Sequence, residues 1–363
     1  MAIKSLEEFN FSKEERLIID ILRGKKIENF YNIDFSKFIN LILMEEIYPF
    51  FYNFFSKNKE IMPKKFFKVL EIFYEKNKKN SLILKDETIK ILNKFKENKI
   101  TVIPMKGFLI SELIYGNPYS RVFSDIDLFV FEKDLEKSIE ILKKEGFSFD
   151  LNEMEEKFYK KFHFKFYNEY RLYKNDFLIE LHFSLFPRRL KIKNFEKFLE
   201  FEKYNDILIF SKEWQIISIS IHAFFHRFSL LKFIFDIHKF IEKFKIDFHK
   251  IYEIGNKLKF LKIIKICLTI SHFLFDTEIP DFLKFKKIPN FLREFIFKEK
   301  DPKGYKKDLF SFTFISSFSQ KIYYTFSLLN PDENVLNYAL LPEKLFFLYY
   351  PLRFFLILKN RLT

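Results

Sequence analysis

Two aspartates, Asp125 and Asp127, flank Ile126 and run straight into the apolar stretch LFVF at 128–131. Side chains alternate along a strand, so both carboxylates face one way, about 7 Å apart. Carboxylates at the mouth of an apolar strand are costly to desolvate unless something positive compensates them. A hard divalent cation fits that role, and Mg2+ commonly joins protein carboxylates to substrate phosphates. The same pair also suits an exposed strand edge, with Asp125 as a loop cap. A second strand-like stretch, FLIELHF at 177–183, puts Phe177, Ile179, Leu181 and Phe183 on one face and Leu178, Glu180 and His182 on the other. If the two strands pair, Glu180 completes a three-carboxylate cluster; otherwise it is an edge glutamate.

Glycine is scarce, six in 363 residues, so each placement carries information. Gly107 follows Lys106 at the end of the β-branched run ITVIPM (100–105) and opens the short helical pattern FLISELIY (108–115), which Gly116-Asn117-Pro118 closes. Strand, Lys-Gly, helix leaves backbone N–H groups and a positive helix end beside a lysine, a phosphate cradle. A tight strand-to-helix turn needs the same glycine. His222 and His226 lie one helical turn apart, with Asp236 and His238 following. That spacing suits a metal such as zinc, although the Glu of the His-Glu-x-x-His motif is missing. Histidines among phenylalanines on a core helix also serve packing alone.

The elements that must position these residues divide the chain in three. Residues 1–95 read as helices, in EERLIIDILRG, in a long pattern over 34–57, in PKKFFKVLEIFYEKNKK and in DETIKILNKFKEN. Residues 96–187 read as a small α/β unit with strands at 100–105, 126–131, 162–167 and 177–183 and a helix at 132–146. Residues 188–363 return to helices after a short strand-like ILIF (207–210), with Ser211 a good N-cap. The expected class is α+β: a small mixed sheet flanked by N-terminal helices and a C-terminal helical domain. At roughly 150 residues per domain the length permits two or three such bodies.

Composition excludes several classes. With 48% hydrophobic and 31% charged residues the chain can bury a large core, so wholesale disorder is excluded. One cysteine, Cys267, rules out an intrachain disulfide and any zinc site made of cysteines. The N-terminal stretch has no signal-peptide h-region, and the apolar tail LFFLYYPLRFFLIL is short, carries Arg353 and is broken by Pro351. The expectation is a cytoplasmic protein with no membrane span. A net charge of +14 permits nucleic acid, nucleotides or an anionic surface as partners, but the basic residues are spread rather than blocked.

The stretch KGFLISELIYGNPYSRVFSDIDLFVF, then Gly146-Phe147, then a histidine ahead of FLIELHF, resembles the uncharacterised nucleotidyltransferase family of bacterial proteins, within the DNA-polymerase-β-like superfamily. The resembling residues are Lys106-Gly107, Arg121, Asp125-Ile126-Asp127, His163 on a strand before the last, and Glu180-Leu181-His182. Downstream, His222, His226 and Asp236-Ile237 resemble the family's helical His-x-x-x-His and Asp-Ile stretch. The likeness covers most of 30–275 and is densest between 97 and 240. One departure stands out: Phe108 follows Gly107 where the wider superfamily has Gly-Ser or Gly-Gly, so Lys106 must compensate for a missing hydroxyl.

The resemblance implies a nucleotidyltransferase that moves an NMP from an NTP, ATP first among them, to a nucleophile and releases pyrophosphate. It implies Mg2+ or Mn2+ on Asp125, Asp127 and Glu180, with Lys106, Gly107 and Arg121 on the phosphates. His163, His182, His222, His226 and Asp236 fall in an acceptor or base region. The acceptor stays open among a small molecule, a protein and RNA. A non-catalytic nucleotide-binding protein on the same fold and a toxin-like enzyme acting on tRNA are the alternatives.

Overall fold

A computed structural model describes residues 2–3, 9–27, 30, 32–58, 60–286, 288–289, 297 and 312–362. Two compact units are interleaved along the chain. The first gathers Met1–Glu87, Met105–Ser124 and Glu196–Phe314, the second Thr88–Pro104, Asp125–Phe195 and Ile315–Thr363.

The first unit is largely helical. Its early helices are α1 (Lys13–Leu22), α2 (Phe35–Met44), α3 (Tyr48–Lys57) and the first part of α4 (Lys64–Glu97). Ser12 opens α1 with a capping box: its Oγ accepts from the Glu15 amide while its own amide donates to Glu15. The long apolar pattern over 34–57 is two helices rather than one. Glu46 turns the chain with a φ of 54°, and Pro49 sits in the first turn of α3. The reverse holds for α4, where two expected helices are one 34-residue helix. No glycine or proline interrupts it, and Ser81 and Leu84 are buried in the stretch between the two patterns. After α5 (Gly107–Tyr115) the unit resumes with the hairpin β6 (Phe201–Tyr204) and β7 (Ile207–Phe210), then α8 (Lys212–Phe225), α9 (Leu231–Lys243), α10 (Phe248–Lys257) and α11 (Leu261–Phe275). Helices α8, α9 and α11 bury most of their length, around Trp214, Ile234 and Ile264. Two-residue strands β1 (Ala2–Ile3) and β8 (Ile288–Pro289) pair antiparallel. Much of the final segment expected to be helical, 290–296 and 298–311, lies outside the described residues.

The second unit carries a four-stranded sheet in the order β2-β3-β5-β4, made of β2 (Val102–Pro104), β3 (Ile126–Val130), β4 (Glu169–Lys174) and β5 (Phe177–His182). Strands β3 and β5 are parallel, and the outer pairs are antiparallel. Helices α6 (Leu135–Lys144), α7 (Glu153–Phe166), α12 (Phe318–Ser327) and α13 (Tyr349–Leu362) complete the unit. The strand expected at 162–167 is instead the end of α7. Asn152 caps that helix reciprocally with Glu155, and Phe158 and Phe162, one turn apart, share its buried face. The alternation in FHFKFY therefore falls on a helix, and His163 is a helical residue. The strand that pairs with β5 lies a few residues on, joined to it through Asn175 at a φ of 50°. Phe158 and Phe162 pack with Val335, Phe346, Tyr349 and Leu356 from the chain's last fifty residues. The protein is thus α+β, a helical chain around one small mixed sheet. Among the described residues no helix is long and apolar enough to cross a membrane.

Candidate active site

Register builds the site in the second unit. Asp127 of β3 lies opposite Glu180 of β5, and Glu180 lies opposite Arg171 of β4. One step along, His182 lies opposite Glu169. Because side chains alternate, these polar residues share one sheet face while Leu128, Leu181, Tyr170 and Leu172 are buried on the other. The apolar face fixes the register, since a one-residue slip would exchange the two sets.

Ligand atoms from Asp127, Glu180 and His182 all lie within 4.8 Å of one another, and this is the three-donor group among the described residues. His182 Nε2 is 2.9 Å from Asp127 Oδ1 and 3.7 Å from Glu180 Oε2. On the other side of the ring the Asn168 amide donates to Nδ1 at 3.2 Å, which leaves Nε2 to donate to Asp127. The Asn168 carbonyl accepts from the Phe183 and Ser184 amides, which fixes that residue beside the end of β5. Glu169 Oε2 lies 4.0 Å from Nδ1. Asp125 precedes β3, half-buried, and stands outside the three-donor group.

His163 sits elsewhere in this unit. Its ring is stacked between Tyr159 and Tyr167, with centroids 4.3 and 4.1 Å away. Burial, helped by the charge of Arg171, lowers its pKa to about 3, so the ring is neutral. Its Nε2 is buried without a hydrogen-bond partner among the described residues.

The first unit assembles the remaining residues. Lys106 has a φ of 43° and ψ of −140°, a region that residues with a Cβ avoid, and Gly107 follows at a φ of 49°. A Cβ at Gly107 would meet only ordinary contact with Phe123, so the backbone angle rather than space calls for glycine there. Lys106 Nζ lies 3.0 Å from His222 Nδ1. Burial first, then the charges of Lys106 and its neighbours, hold the His222 pKa well below the usual range. The neutral ring therefore accepts from the ammonium. His226, whose ring is 4.3 Å from that of His222, ends α8. Arg121 Nε donates to Asp236 Oδ2 at 2.7 Å, a pair almost wholly buried. Burial raises the Asp236 pKa against the pull of Arg121. The Val122 carbonyl accepts from Arg121 at 3.4 Å and from Lys232 at 3.1 Å, and Lys232 also contacts Glu46.

Residues 31–276 match the model of a protein family described as "Uncharacterised nucleotidyltransferase". The chain belongs to that family. No curated protein and no solved structure matches it. Membership makes the protein a nucleotidyltransferase, an enzyme with an NTP substrate, and enzymes of this kind generally use divalent metals.

Within the family's matched span, the structure joins the residues singled out by sequence into two groups. Asp127, Glu180 and His182 come together in one unit, Lys106 with His222 and Arg121 with Asp236 in the other. Sequence reasoning missed Asn168, Glu169, Arg171 and Lys232. The first three lie in or beside β4, which the strand pattern at 162–167 displaced. The alternation of Tyr170 and Leu172 with Glu169 and Arg171 was the available signal. Lys232 had none, being one lysine among many on an amphipathic helix.

Proposed function

We propose that the protein transfers an NMP from an NTP to a nucleophile on an acceptor and releases pyrophosphate, with a divalent cation at Asp127, Glu180 and His182. The observation that carries this reading is the meeting of two carboxylates and an imidazole on adjacent strands of one sheet. The donor set fits the group: two hard oxygen donors suit Mg2+ or Mn2+, and the imidazole favours Mn2+. When bound, the cation neutralises phosphate charge and acidifies an acceptor hydroxyl. Asp125, one residue before β3, is the further carboxylate assigned to this role.

The chain's own residues supply the rest. Bond making joins an acceptor oxygen to the α-phosphorus; bond breaking leaves the electron pair on the departing pyrophosphate. The acceptor proton goes to a basic atom, for which Glu180 is the candidate, since the two His182 ring nitrogens are taken by the cation and by Asn168. Lys106, the Gly107 amide and Arg121 take the phosphate-holding role. Lys106 suits it because its strained backbone is held in place while its ammonium rests on a neutral ring rather than on a carboxylate.

The test is purified protein with each labelled NTP, with Mg2+ or Mn2+, and with small-molecule, protein and RNA acceptors. Label on one acceptor class, with one pyrophosphate released per transfer, is the expected result. Absence of transfer together with absence of NTP-dependent stabilisation overturns the reading.

A further inference from the structure

Arg171 completes the row that Asp127 and Glu180 begin on one face of the sheet. Its Nε and one terminal nitrogen both reach Glu180 Oε1, at 3.0 and 2.9 Å, and the same terminal nitrogen is 3.9 Å from Glu169. It differs from its neighbours in exposure. The Asp127 and Glu180 side chains are 3% and 12% exposed, that of Arg171 52%. A guanidinium stays protonated and presents a planar fork of donors that matches carboxylate and phosphate oxygens equally.

Arg171 holds Oε1 of Glu180, whereas Oε2 is the oxygen that faces His182. A cation at Oε2 and the guanidinium on Oε1 are therefore like charges across one carboxylate, and each weakens the hold of the other. The strand fixes the Arg171 backbone, whose amide donates to Tyr159 Oη at 3.3 Å, while the half-exposed side chain is long enough to change partner.

We propose that Arg171 is a substrate-binding residue that exchanges partners. It holds Glu180 in the metal-free protein, and once a cation takes Glu180 it donates to non-bridging oxygens of the nucleotide's leaving pyrophosphate. The proposal rests on the transfer reaction and cation site described above. Arg171 forms and breaks no covalent bond. The electron pair from the broken P–O bond stays on the pyrophosphate, and the guanidinium offsets the charge that accumulates there.

Calorimetric titration separates the two partnerships, with Mn2+ alone and with Mg–ATP as probes, on wild type, Arg171→Gln and Arg171→Lys. Removing the competing charge in Arg171→Gln should tighten Mn2+ alone by about threefold, in the range of a partly exposed ion pair. The same variant should bind Mg–ATP about tenfold more weakly, the loss expected of a charge-assisted hydrogen bond. Arg171→Lys, which keeps the charge without the fork, should fall between on Mg–ATP and carries the test if the glutamine variant unfolds. Affinities for both probes falling together show a structural residue and overturn the proposal, as does an unchanged Mg–ATP affinity. Wild-type protein that binds neither probe overturns the functional reading and this proposal with it, whereas wild-type binding with insensitive variants overturns this proposal alone.

Discussion

Asp127 and Glu180 face each other across the parallel pair β3–β5, and His182, two residues beyond Glu180 on the same face, donates to Asp127. The pairing sets two carboxylates side by side, with the His182 ring on Asp127 and the Arg171 guanidinium on Glu180. Such a pair is repulsive when both are ionised, and a cation relieves it.

Asp127→Asn tests that arrangement. The amide keeps the shape and can still accept from His182 Nε2, but lacks the charge a divalent cation needs. Transfer should fall by about a hundredfold or more, since charge neutralisation at the metal supplies much of the barrier reduction. The melting temperature without ligand should stay level or rise. Undiminished transfer would remove Asp127 from the chemistry.

Ligand-linked stability gives a second check. ATP with Mg2+ at a hundred times its dissociation constant should stabilise the native state by about 2.7 kcal/mol. EDTA should abolish the shift, and Lys106→Ala should shrink it. A full shift in the alanine variant would take Lys106 out of phosphate binding.

The buried ion pair predicts a steep, one-sided penalty. Arg121 and Asp236 are 6% and 2% exposed, so Asp236→Leu removes the carboxylate that compensates a buried guanidinium and should cost about 3–5 kcal/mol in urea unfolding. The double variant Arg121→Met/Asp236→Leu should recover most of that loss. A double variant no more stable than the single one would show that packing, not charge, sets the cost.

Acid sensitivity follows from His163. Its pKa is lowered to about 3 in the folded protein, below the ordinary value of 6.5, so the unfolded chain binds the extra proton. Its contribution is therefore complete above about pH 6.5 and is lost as the pH falls toward 3, with a slope of at most about 1.4 kcal/mol per pH unit. His163→Phe, which keeps a ring between Tyr159 and Tyr167, should flatten the stability profile in that window. An unchanged profile between pH 6 and 4 would show that His163 is protonated in the native state.

The carboxylate strands were legible because their signal is local. Four apolar residues after Asp127, and alternation around Glu180, show where the acids lie and which way each faces. That β3 and β5 are neighbours is a long-range fact, since the intervening α6, α7 and β4 leave no trace of register in either strand. His163 illustrates the opposite failure. Alternation in FHFKFY is compatible with a strand, but the cap at Asn152 carries α7 through it, and the true strand slips to 169–174. Lys106 and His222 stand 116 positions apart, and their contact comes from tertiary packing alone.

The packing of α7 has a consequence for how the protein is made. Phe158 and Phe162 leave the ribosome 191 and 187 residues ahead of Tyr349, against which both pack. At bacterial-type rates of about 5–20 residues per second that is a wait of roughly ten to forty seconds. For that interval a nascent chain presents an aromatic helix face without its final partner, a natural landing place for a chaperone. Slowing or stalling translation within the last fifty codons should therefore raise aggregation more than the same stall placed earlier.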